Sequence, residues 1–150
     1  MRIMFICTSN TCRSAMAHKI LEKRAKEENK NIEVYSCGIF ADPADGATNE
    51  AIEVMKEYNI DLKPHRSTNI KKSNIEDMDI ILCATVGHKN SIINMYPELK
   101  EKIFTIREYA DFDQNDLDIR DPWGWGIETY RRCVAQIDEC IEKIISAGKL

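Results

Sequence analysis

Short apolar runs alternate along the chain with longer segments in which apolar residues recur at helical spacing. Four runs have the length and composition of buried strands, at residues 3–6, 32–35, 80–84 and 102–105. The chain closes with the clearest helical stripe: Ile127, Tyr130, Val134, Ile137, Ile141 and Ile144. Strands separated by helices predict parallel pairing with right-handed crossovers. We therefore expect an α/β fold, a single-domain three-layer sandwich with a four-stranded parallel sheet flanked by helices.

The length of the chain agrees with one domain. It has 150 residues, of which 43% are hydrophobic, and we find no repeat, linker or low-complexity stretch. Residues 1–150 are therefore predicted to form one unit. In parallel sheets of this kind, ligands bind beyond the carboxyl ends of the strands, and the first loop is the commonest phosphate site.

That first loop carries the candidate chemistry. It consists of Cys7, Thr8, Ser9, Asn10, Thr11, Cys12, Arg13 and Ser14. Successive backbone N–H groups can surround an anion, and the planar guanidinium of Arg13 can hold two phosphoryl oxygens. A cysteine at the strand end, facing a helix N-terminus, is favoured as a thiolate and hence as a nucleophile. The alternative is a buried structural cysteine followed by an arginine in the first turn of a helix.

Charge and composition limit the classes of partner and cofactor that the protein is expected to bind. The chain has 21 basic and 25 acidic residues, a formal net charge of −4, so no global positive field would gather nucleic acid. No apolar stretch approaches the roughly 18 residues that span a bilayer. A metal site at Cys7 and Cys12 lacks a second ligand pair, so we predict no metal and no cofactor. The six cysteines favour free thiols in a reducing cytoplasm.

Two motifs more than a hundred residues apart carry a resemblance. The segment from Ile6 to Ser14, together with Asp121-Pro122-Trp123, resembles the low-molecular-weight protein tyrosine phosphatase family over essentially the whole chain. The resemblance implies that Cys7 forms a phosphocysteine and that Arg13 holds the phosphoryl group. It also implies that Ser14 hydrogen-bonds the thiolate and that Asp121 is the general acid. Without the resemblance, the sequence favours Asp121 as an ordinary turn residue before Pro122.

The resemblance extends to residues around the loop. Asn10, Ser36 and His65 match positions that brace it through hydrogen bonds, although each also fits an ordinary turn or strand end. Phe40 and Trp123 match aromatic walls of the substrate pocket. The family usually has glycine where Ser9 stands, so Ser9 would be strained if that position requires a positive φ. The substrates implied are phosphorylated proteins, acted on by a monomer.

Thr11 bears on which phosphorylated side chain is the substrate. Tyrosine-directed members carry a bulky aliphatic residue there, whereas bacterial members acting on phosphoarginine carry threonine. A small polar wall leaves room for a guanidinium, so phosphoarginine is favoured over phosphotyrosine. Alternatively, Thr11 is only a loop residue. Five aspartates between residues 111 and 121 would suit a cationic substrate, or form a solvated loop.

Other functions stay open at this point. Cys12 could form a reversible disulfide with Cys7 that protects the nucleophile, or simply be a small loop residue. Arsenate reduction needs a redox cysteine pair near the third strand, but Cys83 has no partner and position 90 is Asn90. A non-catalytic phosphate-binding module would leave Cys7 unexplained. The remaining histidines, His18 and His88, are predicted to lie on helix surfaces.

Overall fold

A computed structural model describes all 150 residues and contains one four-stranded sheet. The strands are β1 (Arg2–Cys7), β2 (Glu33–Gly38), β3 (Ile80–Cys83) and β4 (Ile103–Thr105). All pairs are parallel, in the order β2-β1-β3-β4. The predicted parallel α/β fold is confirmed. Strand β2 runs three residues beyond the predicted Tyr35, through polar and small residues that resemble a turn in the sequence.

Five α-helices connect and cover the strands. They are α1 (Arg13–Glu27), α2 (Asn49–Lys56), α3 (Val86–Met95), α4 (Ile106–Tyr109) and α5 (Ile127–Ser146). Three short 3₁₀ helices occupy Ile70–Lys72, Ile75–Asp77 and Pro97–Lys102. Helix α4 and the 3₁₀ helices were not predicted, because segments this short do not complete a helical repeat of apolar positions. None of the helices is both long and apolar enough to cross a membrane.

The sheet is buried on both faces, which makes the middle layer of three. Ile3 and Phe5 of β1 belong to a core of 26 buried residues shared with α1, α2 and α5. Met4 and Ile6 point the other way, into a second core of 11 buried residues. Side chains alternate between faces along a strand, so a strand buried on both sides must be apolar throughout. This explains the unbroken apolar run before Cys7.

Strand β1 delivers the loop to the centre of the fold. It lies between β2 and β3, and its last residue, Cys7, is paired with Gly38 at the end of β2. Helix α1 begins six residues later, at Arg13, and packs against the sheet. The loop between them therefore lies at the carboxyl edge of the sheet, with neighbouring connections on both sides.

Candidate active site

The thiol of Cys7 lies at the base of the loop, 1% exposed, with two hydrogen-bonding partners. The backbone N–H of Asn10 donates to Cys7 Sγ over 3.3 Å, and Ser14 Oγ lies 2.9 Å from the same sulfur. Both partners come from the loop or the first turn of α1. Donors aimed at the sulfur stabilise a thiolate more than a thiol.

A chain of hydrogen bonds determines which way the Ser14 hydroxyl points. The backbone N–H of Thr68 donates to Asn10 Oδ1 over 3.0 Å, which orients the Asn10 amide. Asn10 Nδ2 then donates to Ser14 Oγ over 2.7 Å. Because Ser14 Oγ already accepts this bond, its own hydrogen is free to point at Cys7 Sγ. The surrounding fold thus presents Ser14 as a donor to the sulfur.

Asn10 is also the turning point of the loop backbone. Its φ is +60°, a left-handed conformation that asparagine tolerates better than most residues. Its carbonyl accepts hydrogen bonds from His65 Nε2 over 2.7 Å and from Ser67 Oγ over 3.0 Å. A carbonyl can only accept, so the proton of His65 lies on Nε2. Ser9 does not have a positive φ, so the strain considered for a serine at this position does not arise.

Gly38, at the end of β2, is where the neighbouring strand touches the loop most closely. A Cβ placed on it would lie 2.6 Å from the carbonyl oxygen of Thr8 and 2.8 Å from the backbone nitrogen of Asn10. Both contacts are with backbone, which cannot move aside cheaply. The next two residues continue the contact, because the backbone N–H of Phe40 donates to the Thr8 carbonyl over 2.9 Å. The loop is therefore shaped by β2 as well as by its own residues.

The guanidinium of Arg13 is buried beneath the loop, with its residue only 4% exposed. One terminal nitrogen donates to the carbonyl of Ile119 over 2.9 Å, and the other lies 3.7 Å from Asp121 Oδ2. Its Nε is buried and has no hydrogen-bonding partner in the protein. A buried donor without a partner is costly, and a phosphoryl oxygen would satisfy it.

Asp121 is brought to the loop from the other end of the sequence. One carboxylate oxygen faces Arg13, and the other accepts a hydrogen bond from the backbone N–H of Trp123 over 3.1 Å. Cys12 Sγ lies 3.8 Å from that second oxygen. The side chain is 53% exposed, so it can exchange protons with solvent while its position is fixed.

Above the loop lies a cleft of about 430 Å³. Its floor is formed by Thr8, Ser9, Thr11 and Cys12; the walls are Asp45, Gly46, Thr48, Asp121 and Trp123. Thr11 faces this cleft, and its Oγ1 lies 2.7 Å from Ser9 Oγ. Trp123 lines the cleft although it is 69% exposed. Phe40 does not line it, contrary to expectation: its backbone N–H binds the Thr8 carbonyl, and the residue as a whole is 79% exposed.

Ser36 also differs from the prediction. Its Oγ lies 2.9 Å from His18 Nδ1 on α1, and it makes no hydrogen bond to the loop. The reason is its place inside β2, opposite Phe5, which directs the side chain under α1. Ser67 and Thr68, which do hold the loop, lie two and three positions after His65, but nothing in their sequence context distinguishes them from ordinary turn residues.

His88 and His18 lie on helices, as predicted, but both are only partly exposed, and both are held by hydrogen bonds to other elements. His88 Nε2 lies 2.8 Å from Thr8 Oγ1, and its Nδ1 lies 2.9 Å from Thr85 Oγ1 at the start of α3. Burial lowers the pKa of His88 to about 4, and burial does the same to His18. The contact between His88 and the loop joins residues 80 positions apart, so local sequence gave no signal of it.

Most of the aspartates between residues 111 and 121 serve the fold. Asp111 pairs with Lys149 over 3.0 Å, and Asp116 lies 3.6 Å from Arg107. Asp118 accepts a hydrogen bond from the backbone N–H of Val86 at the start of α3. Among these residues, only Asp121 lines the cleft. The run is therefore a structural segment that delivers one carboxylate to the site.

The remaining cysteines are buried thiols without disulfide partners. Burial raises the pKa of Cys12 to about 12, with the neighbouring Cys7 and Asp121 adding to the effect. Cys83 lies in the second core, and burial raises its pKa still further. No group of three or more histidine, cysteine or acidic side chains is placed to hold a metal ion.

Together these features define a class. A parallel α/β sheet whose first strand ends in a cysteine, followed by an anion-binding loop and a buried arginine, is the arrangement of phosphatases with a cysteine nucleophile. The chain belongs to the low molecular weight phosphotyrosine protein phosphatase family, whose model matches residues 2–149. The protein is thus a phosphatase of that family, and the predicted resemblance is confirmed.

Relatives with different named substrates are similar to it. A protein-arginine-phosphatase of Geobacillus stearothermophilus is 38% identical over 143 residues, covering 95% of this chain and 93% of the relative. The crystal structure of a low molecular weight protein tyrosine phosphatase from T. tengcongensis is 37% identical, with a TM-score of 0.92, covering 98% and 99% of the two chains. A cysteine-to-serine mutant of the YwlE arginine phosphatase, with a phosphorylated active-site serine, is 33% identical, with a TM-score of 0.91 and coverage of 99% and 96%.

Proposed function

We propose that this chain removes the phosphoryl group from phosphorylated arginine side chains of proteins, through a phosphocysteine on Cys7. The observation that carries the mechanism is the hydrogen-bond chain from Thr68 through Asn10 and Ser14 to the buried sulfur. It supplies a fixed donor to a thiolate at the base of an anion-binding loop. A purely phosphate-binding module would have no use for a nucleophile held in this way.

In the first step the Cys7 thiolate attacks phosphorus, forming an S–P bond as the bond from phosphorus to the arginine nitrogen breaks. Asp121, in its protonated form, gives a proton to that nitrogen, so the leaving group departs as a guanidinium cation rather than as the more basic neutral guanidine. Arg13 and the loop N–H groups hold the phosphoryl oxygens throughout. In the second step water attacks phosphorus, Asp121 takes its proton, and inorganic phosphate leaves with the thiolate restored.

The phosphorylated serine in the YwlE mutant supports this route, because a side chain at the nucleophile position of that relative carries the phosphoryl group. The other members of the loop serve the same oxyanion site: Thr8, Ser9, Thr11 and Cys12 form its floor. His65 holds the Asn10 carbonyl outward and braces the loop from below.

Phosphoarginine is favoured over phosphotyrosine by Thr11 and by the cleft walls. The threonine presents a small polar surface, and the arginine phosphatase of Geobacillus stearothermophilus is similar over nearly the full chain. The alternative, a phosphotyrosine-specific enzyme, is supported by the similar T. tengcongensis structure. Residues 1–150 would act as one domain and as a monomer. Unpaired cysteines suit a reducing compartment such as the cytoplasm.

The test compares wild type, Thr11→Ile and Cys7→Ser on peptides that differ only in carrying phosphoarginine or phosphotyrosine. We expect wild type to prefer phosphoarginine and Thr11→Ile to shift toward phosphotyrosine. A misfit of about 1–3 kcal/mol would change the ratio of kcat/KM values by about 10–200-fold. Cys7→Ser should lose turnover while still binding vanadate. A wild type that hydrolyses only phosphotyrosine would make the alternative correct.

A further inference from the structure

The charges lining the cleft are all of one sign. Of the residues that line it, Asp45 and Asp121 are charged, both negatively, and none is cationic. The positive charge of Arg13 lies beneath, in a residue that is 4% exposed. A phosphoryl group at the loop therefore meets positive charge and backbone N–H groups, while the part of the substrate farther out faces carboxylates.

Asp45 is held in place by its backbone and leaves its carboxylate unused. Its carbonyl accepts a hydrogen bond from the backbone N–H of Ser67 over 3.0 Å, and its N–H donates to the carbonyl of Asp42 over 2.9 Å. Ser67 in turn holds the Asn10 carbonyl, so the Asp45 segment is tied to the loop. The carboxylate of Asp45 forms no hydrogen bond or ion pair with the protein. This sets it apart from Asp111, Asp116 and Asp118, which are engaged in the fold.

The two candidate leaving groups differ in what they offer such a carboxylate. A guanidinium keeps its positive charge when one nitrogen is phosphorylated, and its other nitrogens carry N–H donors in a planar fork. A phosphorylated phenol ring is neutral and offers no hydrogen-bond donor at all. A carboxylate beside the leaving group therefore attracts the first and gains nothing from the second.

We propose that Asp45 is a specificity-determining residue that binds the terminal N–H groups of the phosphorylated guanidinium in the cleft that Asp121 also lines. The assignment rests on the proposed function and extends it. Asp121 is occupied with the bridging nitrogen, to which it passes a proton, so a second carboxylate is needed to hold the remaining donors. Asp45 lines the same cleft and has no competing partner. Its role is recognition; the bond-breaking steps do not require it.

The experiment measures kcat/KM of wild type, Asp45→Asn and a matched control on phosphoarginine and phosphotyrosine peptides and on p-nitrophenyl phosphate. The control is Glu50→Gln, which removes the same charge from a nearby exposed carboxylate that lines a different groove. For Asp45→Asn we expect about a tenfold loss on phosphoarginine, the size of one charge-assisted hydrogen bond, seen mainly in KM. For Asp45→Asn, kcat/KM on the other two substrates should change by less than about twofold. Glu50→Gln should leave kcat/KM unchanged on all three substrates.

The outcomes separate this role from the proposed function. If wild type hydrolyses phosphoarginine and Asp45→Asn does so equally well, Asp45 is not the recognition residue, although the proposed function stands. Equal losses on all three substrates would also refute it, because they would indicate a disturbed loop. If wild type hydrolyses phosphotyrosine but not phosphoarginine, both proposals fail together.

Discussion

Replacing Asn10 by alanine should show how much of the loop is held by one side chain. The change removes the acceptor of the Thr68 N–H and the donor to Ser14, and it places alanine at a φ of +60°. An unpaired buried group costs about 1–3 kcal/mol, and alanine in the left-handed region costs about 1 kcal/mol. We therefore expect the free energy of unfolding to fall by about 3 kcal/mol.

The chain contains its own control for this substitution. Asn59 has a φ of +58°, lies exposed after α2, and makes no side-chain hydrogen bond. Asn59→Ala should therefore lower the free energy of unfolding only by the cost of alanine in the left-handed region, about 1 kcal/mol. At about 2–4 °C per kcal/mol for a chain of this size, Tm should fall by about 6–12 °C for Asn10→Ala and about 2–4 °C for Asn59→Ala.

Thermal unfolding of both variants and of wild type measures the difference, and steady-state kinetics on the same samples measures its effect on chemistry. Asn10→Ala should also lower kcat, because the Ser14 hydroxyl is no longer oriented toward Cys7. Equal Tm changes in the two variants would refute the claim that the Asn10 side chain stabilises the loop. An unchanged kcat would refute its role in orienting Ser14.

Three further predictions concern single groups. Asp121→Asn should lower kcat about 10²–10⁴-fold on phosphopeptides and far less on p-nitrophenyl phosphate, whose leaving group needs no proton; equal losses would make Asp121 structural. Mild peroxide should oxidise Cys7 before Cys12, whose pKa burial raises to about 12, and then give a disulfide reversible by thiols; mass spectrometry showing sulfinylated Cys7 beside free Cys12 contradicts this. Burial lowers the pKa of His88 to about 4 in the folded chain. Below about pH 6.5 the unfolded chain therefore binds a proton at His88, whereas the folded chain does not bind it until the pH approaches 4. Stability should fall from pH 6.5 toward 4, and less steeply in His88→Gln by urea unfolding; identical slopes would show that another group dominates.

The sequence predicted the elements that are long and regularly patterned. The strand before Cys7 and the stripe of α5 appear where the apolar residues placed them, since burial on one or both faces leaves a periodic record. The end of β2 left no such record, because Ser36 and Gly38 resemble a turn and only their pairing with β1 makes them strand.

The candidate site was predictable where chemistry is concentrated in one segment. The loop and Asp121 stood out by residue type, and the structure brings them together. The residues that hold the loop in place through hydrogen bonds did not stand out in the sequence. His88 reaches Thr8 from the first turn of α3, and Thr68 contributes a backbone N–H that has no sequence signature. Phe40 was predicted to line the cleft, but residue type cannot tell which way a loop side chain turns.

The close approach of Gly38 to the loop divides the site into two kinds of position. The backbone between Cys7 and Asn10 packs directly against Gly38 of the neighbouring strand, and this contact leaves no room for a side chain at position 38. The cleft-facing side chains of Ser9 and Thr11 bond to each other, and nothing in the neighbouring strand depends on them. Substitutions at those two positions can alter which substrate fits without undoing the scaffold. The same nucleophile can thus be redirected by variation in the loop, while position 38 is closed to change.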